Sequence, residues 1–396
     1  MKKNFRVKNP AGIPQHLVDE DNKSPGSTMC LKAMMFVGVL IIAQYVISQI
    51  IMRGYHRTVF PHYTGRCRNV SPLKTGSEDI AITSDGLAFI TSGIKLFHKL
   101  VPADSRIMNF EGRIYLFDFN HPEKPAKKLR MVKLPQMKDF APQGISIWED
   151  KDGGHISVLV VNHRLWQARD TVEIFSFDRN TLVLHHKKTV INEFFRSLND
   201  IAATGPSSFY VTNDGHYTFS PLRLLERFGM FPWGDVLHVN NDNALKVLNK
   251  MYEVSGIALS SDGRYVFLAS PYGQDLHVYS RGEDDKLTIF QKINLGTAPD
   301  DITIDSSTGD LIVSCFPVWH QVFKSVSNFG ERGAAQVLRL TSKSLDPDKR
   351  YIATRTIELF ADDGELISQS STAVVYGDAL LIGSVTDRTV YCDLKG

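Results

Sequence analysis

What most limits this chain's possible folds is a short pattern that recurs. PDDITIDSSTGDLIVSC, residues 299–315, reads as two short strands joined by a turn. Ile302, Ile304, Leu311 and Val313 are apolar at period two, and Ser306, Ser307, Thr308 and Gly309 carry the turn chemistry between them. The same pattern returns as SEDIAITSDGLAFITS (77–92), PQGISIWEDKDGGHISVLVVN (142–162), LNDIAATGPSSFYVTN (198–213) and VSGIALSSDGRYVFLAS (254–270), and more weakly as SSTAVVYGDALLIGS (370–384). The starts lie roughly 45 to 70 residues apart, the spacing of four-stranded propeller blades. The six copies predict an all-β, six-bladed propeller.

A propeller brings the polar residues before each first strand to one place, because its inner strands surround a single axis. The set is Glu78 with Asp79, Gln143, Asn199 with Asp200, Ser255, and Asp300 with Asp301: five carboxylates and three neutral oxygen-bearing side chains. Carboxylates crowded at buried strand starts repel unless something positive compensates them. Oxygen ligands from separated strands suit a hard cation, and six to eight of them at about 2.3–2.6 Å suit Ca²⁺ better than Mg²⁺. No Cys/His pair has zinc spacing. For a single copy, solvated turn residues would be the plainer reading; five copies in register favour a calcium tunnel.

The 396 residues can bury a large core, and 43% apolar content is ordinary for a folded chain. A formal charge of +2, with no basic–aromatic cluster, excludes a nucleic-acid partner as the leading idea. Residues 1–32, with Lys2, Lys3, Arg6 and Lys8 ahead of Pro, Gly, Asp and Ser, read as a disordered cytoplasmic tail. Residues 33–52 carry no charge, and at 1.5 Å per residue they cross about 30 Å of hydrocarbon. The rival is a cleaved signal peptide, with a shorter apolar stretch and a small-x-small site after it. Here Arg53, Gly54, Tyr55 and His56 follow, which favours an uncleaved transmembrane anchor. Residues 53–66 read as a juxtamembrane linker and 67–396 as the propeller.

Lys and Arg flank the span on both sides, so other features set its direction. Asn69-Val70-Ser71 is a glycosylation sequon usable on the lumenal side. Cys67 and Cys392 bracket the repeats, and a disulfide between them would join the chain ends in one blade. Closing so long a loop is worth about 4–5 kcal/mol on the entropy model and needs an oxidising compartment. The expected topology is a cytoplasmic N-terminus, one span, and a propeller in the endoplasmic reticulum lumen or outside the cell. Cys315 ends an apolar strand and reads as a buried small hydrophobe. Cys30, on the cytoplasmic side, is open to palmitoylation or stays an unmodified thiol.

The repeats, with their particular residues, resemble the serum paraoxonase/arylesterase family over about residues 67–392. TGSEDIAITSDGLAFITSG, LVVNH, LNDIAATGP, FYVTND, SSDGRYVFLA, TGDLIVSC and LLIGSV…VYC carry the resemblance. It implies a six-bladed propeller, two calcium ions in the central tunnel, and hydrolysis of lactones and aryl esters near the upper ion. It implies Glu78, Asn199 and Asp300 as ligands of the catalytic calcium. It implies Asp79, Asp200 and the backbone carbonyl of Ile145 as ligands of a structural one. The cysteines match the family's disulfide and its free thiol.

The departures have a direction. The family's two histidines proposed to activate water fall at His163 and at Gln143, and an amide cannot accept a proton at neutral pH. A ligand Asn is replaced by Ser255, and another by Asp301, which adds a charge. A pocket histidine falls at Phe316 and a pocket Phe at Glu253, two residues before Ser255 and so on one strand face. The tunnel becomes more acidic and loses proton-transfer groups. Calcium can still polarise a carbonyl and acidify water, and Glu253 is a candidate substitute base. There is no G-x-S-x-G elbow, P-loop, G-x-G-x-x-G or H-E-x-x-H.

Two functions follow. Membrane-tethered members of the family in invertebrates include proteins that assist assembly of degenerin-type sodium channels. One expectation is therefore a weakly catalytic or non-catalytic chaperone for membrane-protein clients. The other is a calcium-dependent arylesterase/lactonase acting on small esters and lactones.

Overall fold

The computed structural model describes residues 25–396 apart from 94–110, 136–138, 165–168, 218–219, 328–330, 343–352 and the single residues 64, 75, 151, 153, 230 and 396. Two compact units divide between Ile51 and Met52. The first contains most of a helix, Pro25–Met52. The expected tail boundary at residue 32 falls inside this helix, and residues 1–24 lie outside the described set. The helix carries no charge from Ala33 onward, and Met29–Ile51 holds no buried residue. Gly54, at φ 70°, supplies the left-handed residue just beyond its end. It is long and apolar enough to cross a membrane, which fits a single-pass anchor or a signal sequence.

The second unit is all-β: six sheets in a propeller arrangement. The innermost strands are Ile80–Ile82, Pro142–Glu149, Leu198–Ala203, Ile257–Leu259, Ala298–Ile304 and Ser370–Tyr376, one from each repeat and in that order around the axis. The weakest copy is thus a true blade. Four of the second strands, Ile156–Asn162, Tyr265–Ser270, Leu311–Phe316 and Ala379–Ser384, are buried at every residue. The reason is that both faces of a blade meet a neighbour. Phe89 packs toward the second blade and Ile90 toward the sixth; Leu311 and Val313 pack on the fourth blade and Ile312 on the sixth. Six apolar layers, one per blade interface, form the core. Each buried Phe, Leu or Ile contributes about 1.5–3 kcal/mol.

The ring closes by mixing chain ends. Cys67–Asn69 pairs antiparallel with Val390–Asp393 as the outer strand of the sixth blade, and Cys67 lies opposite Cys392. A disulfide joins them across a sequence separation of 325.

The stretch 53–66 is expected to be a linker; its residues 53–63 are instead bound to the propeller as a strap. Gln274 Nε2 donates to the Met52 carbonyl at 2.7 Å, and the His320 N–H to that of Arg53 at 3.0 Å. Tyr55 stacks on His320 with centroids 4.0 Å apart, and Arg53 lies over the Phe323 ring. Met52 is buried with Ala298, Phe316 and Trp319. Gly54 passes so close that a Cβ there would sit 2.6 Å from the Pro317 oxygen. Beyond this contact His62–Tyr63 adds a strand to the outer edge of the fifth blade, opposite Ala361 and Phe360.

Candidate functional site

Aligned on their strand starts, the repeats place Asp79, Gly144, Asp200, Gly256, Asp301 and Thr372 in one column. Carboxylates from alternate blades fill the axis, and the blades between them supply donors. Asp79 Oδ2 accepts the Ile145 N–H at 2.6 Å, and Asp200 Oδ2 the Ile257 N–H at 2.6 Å. Asp301 Oδ2 accepts the Thr372 hydroxyl at 2.7 Å. The other oxygen of each aspartate accepts its own strand's next N–H, from Ile80, Ile201 and Ile302. The result is a pseudo-threefold triad inside a six-bladed ring.

The glycines are there for space. A Cβ on Gly144 would lie 2.7 Å from Asp200 Cα, and one on Gly256 would lie 2.6 Å from Asp301 Cα. We expect Gly256→Ala to cost about 3 kcal/mol, because the clashing atoms are backbone. Gly154→Ala, where the nearest atom is 4.0 Å away, should stay within about 0.5 kcal/mol. Thermal melts of the two variants make the comparison. Strand ladders shift register at this same point in four blades, between Pro142 and Ile145, Leu198 and Ile201, Pro299 and Ile302, and Ser370 and Thr372. A bulge re-aims side chains, which lets adjacent polar residues share the axis.

Ligand atoms of Asp79, Asp200 and Asp301 all lie within 4.8 Å of one another, and all three residues are buried. Two oxygens on one calcium ion at about 2.3–2.6 Å can be at most about 5 Å apart, so this donor set fits a hard cation. Electrostatics point the same way. Burial pushes the carboxyls of Glu78, Asp79 and Asp200 well above the usual carboxylate range. Asp300, Asp79 and Asp301 push Glu78 further, and Asp301 does the same to Asp79 and Asp200. The N–H groups of Ile145 and Ile257 oppose the shift only in part. The sequence reading put Asp79, Asp200 and Asp301 in one converging set; the structure groups these three apart from Glu78 and Asp300. Ile145 meets this group through its N–H, which donates to Asp79.

The preceding column, Glu78, Gln143, Asn199, Ser255, Asp300 and Ser371, forms a layer above the triad. Gln143 Nε2 donates to Glu78 Oε1 at 3.3 Å, and Gln143 Oε1 faces His163 Nε2 in a short contact. His163 Nδ1 lies 3.0 Å from Asp170 Oδ2, which also accepts the Leu198 N–H. Gln143 is 2% exposed, so this Asp–His–Gln–Glu chain is shielded from water. The Ser255 hydroxyl donates to the Asp300 carbonyl and that of Ser371 to the Glu78 carbonyl, each at 2.7 Å. Asp300 is the largest charged influence on Glu78, and Asp214, from the loop after the third blade's second strand, adds to it. Asn199 is partly exposed. Glu253 is half-buried at φ 28°, two residues before Ser255. Phe316 packs with Met52 at this end of the fifth blade. Cys315 is fully buried, and burial, then Asp300, pushes its thiol pKa well up. Asn69 is exposed on the outer strand of the sixth blade.

Sequence reasoning missed Asp170, Thr372 and Ser371. The last two were legible: they fill the same two columns in the sixth copy. Asp170 sits in a loop with no repeat partner, so nothing flagged it.

Fold and site together define a β-propeller whose acidic central tunnel can hold a metal ion. A family model described as Arylesterase matches residues 59–394. Serum paraoxonase/arylesterase 1 of Homo sapiens is 34% identical over 340 residues, covering 85% of this chain and 91% of that protein. Serum paraoxonase/arylesterase 2 of Gallus gallus is 33% identical over 340 residues, with the same coverage. Serum paraoxonase/lactonase 3 of Homo sapiens is 31% identical over 363 residues, covering 91% of this chain and 98% of that protein. The chain belongs to the arylesterase family.

Proposed function

We propose that this protein is a membrane-anchored, calcium-binding arylesterase whose hydrolysis of lactones and aryl esters is strongly attenuated. The observation that carries this reading is the contact between Gln143 and His163. With calcium bound, Glu78 is ionised and only accepts hydrogen bonds, so it draws the amide NH₂ of Gln143. That leaves the amide oxygen facing His163 Nε2, which must then donate. A ring nitrogen that donates to Gln143 offers no lone pair to water, while Asp170 occupies the other nitrogen. Glu78, Asn199 and Asp300 would hold one calcium ion and Asp79, Asp200 and Asp301 a second. Calcium at the upper position would supply a Lewis acid for an ester carbonyl. The chain's own residues would hold that ion and shield the site from water, with Glu253 the candidate to take a proton. Turnover of phenyl acetate and simple lactones by the full-length protein in detergent, with calcium and with chelator, tests the reading. Rates typical of the family would overturn it.

A second reading is a non-hydrolytic role in folding, assembly or surface delivery of membrane proteins, such as degenerin-type sodium channels. The same engaged histidine favours it. It requires a client whose surface delivery falls when this protein is removed and recovers with Gln143→Ala.

We also propose that the N-terminus lies in the cytoplasm and the propeller in the endoplasmic reticulum lumen or outside the cell. Asn69 should then carry a glycan, since it is exposed at the propeller rim. We expect carbonate extraction to leave the protein in the membrane and glycosidase to shift its gel mobility, with Asn69→Gln abolishing the shift. A soluble mature form beginning after Met52 would mean that the helix is a cleaved signal.

A further inference from the structure

Beneath the aspartate triad the tunnel continues as a cavity of about 310 Å³. Asp79, Asp200 and Asp301 line it directly. Exposure rises along its walls: Ile80, Ile201 and Ile302 are buried, whereas Ala81, Ala203 and Thr303 further along the same strands are partly exposed. The tunnel therefore has a second mouth, at the opposite end of the inner strands from Gln143 and His163.

We infer that the cation held by the triad enters and leaves through this lower chamber, and not past Glu78 and Gln143. The inference rests on the calcium reading above. Toward the upper mouth, hydrogen bonds tie one blade to the next: Gln143 to Glu78, Ser255 to the Asp300 carbonyl, and Ser371 to the Glu78 carbonyl. Glu78 and Gln143 are 8% and 2% exposed, and Asn199 and Asp300, the partly exposed members of that layer, are on the calcium reading taken up by the upper ion, so a second ion on that route must break these bonds or pass the first. The lower chamber has room for at least about ten waters. A calcium ion keeping a first shell of six to eight oxygens fits within it. Carboxylates at the closed end of a low-dielectric channel concentrate cations there. The triad's ion thus exchanges from the far side of the propeller, independently of whatever occupies the hydrolytic mouth.

The test measures calcium release from the full-length protein in detergent after mixing with quin-2, which chelates and reports free calcium. Ala203→Phe narrows the chamber with an apolar group, Ala81→Met does so with a more adaptable one, and Leu259→Ala widens it. An apolar constriction impedes ions by dewetting. Release of one ion should slow about tenfold or more in the narrowed variants that still melt cooperatively, and quicken in Leu259→Ala. Calcium stoichiometry should not change. Unchanged release from all three variants, with calcium bound, would overturn this inference alone. Absence of bound calcium by elemental analysis would overturn the metal reading and this inference with it.

Discussion

Turnover of phenyl acetate and of lactones should rise about 10²–10⁴-fold in Gln143→His, the range that a positioned general base contributes. The gain has a geometric origin. Gln143 lies between Glu78 and His163 and meets both. Its amide presents an oxygen to the histidine, so the imidazole is held as a donor. A histidine at 143 can offer a ring nitrogen in place of that oxygen, which frees one of the two imidazoles to accept a proton. Asp170 already orients His163, so the second half of the pair needs no rebuilding. Gln143→Ala separates the two possible roles of the amide. It removes the captor without adding a base, so activity should stay low while calcium binding persists. Glu253→Gln is the companion variant. Unchanged residual turnover would show that Glu253 is not a substitute base, and its loss would identify the carboxylate that had taken over. A Gln143→His protein as slow as wild type, with calcium bound, would show that the amide is not what limits the reaction.

Calcium should stabilise the protein more as pH rises. Glu78, Asp79 and Asp200 have folded-state carboxyl pKa values raised by burial and by one another. Without metal, the folded protein holds protons that the unfolded chain has already released. That contribution to stability is fully present below the unfolded carboxylate range near pH 4 and is lost as pH rises through the raised folded values. The metal-free protein should therefore weaken from acid toward neutral pH. Calcium replaces those protons, so its affinity grows over the same window. At a thousandfold excess over its dissociation constant a ligand adds about 4 kcal/mol, roughly 5 °C of melting temperature for a domain of this size. The gap between melts with calcium and with chelator should widen as pH rises from the acid range, reaching that order at pH 8. Coincident melts at pH 8 would contradict it.

Much of the fold was legible because a blade with neighbours on both faces needs apolar residues at nearly every position of its second strand. LIVSC and YVFLA meet that demand, and the polar residues ahead of them mark the axis. The aspartates were legible as pairs, but their threefold pattern was not. Nothing in the sequence marked Gly144 and Gly256; their column shows them to be clearances for the next blade's aspartate. The strap could not be read at all. HRTVFPHY has the polarity and aromatic content of an interfacial linker, and Gln274, Pro317 and His320, the partners of Met52, Arg57 and Arg53, lie more than 200 positions away. Likewise, nothing local to Asp170 marks it as the partner of His163; the loop geometry decides that.

The strap also decides where the propeller can be cut. Met52, Arg53 and Gly54 are buried parts of the rim beside Phe316, not a tether leading to it. A protease acting before Met52 would shed a propeller with its rim intact. One acting between Arg57 and His62 would strip Met52 from Phe316 and Trp319 and uncover an apolar hollow beside the mouth. The two soluble products would share every calcium ligand and the disulfide yet differ in stability and in stickiness. Any comparison of anchored and released forms has to specify which side of Gly54 the chain begins on.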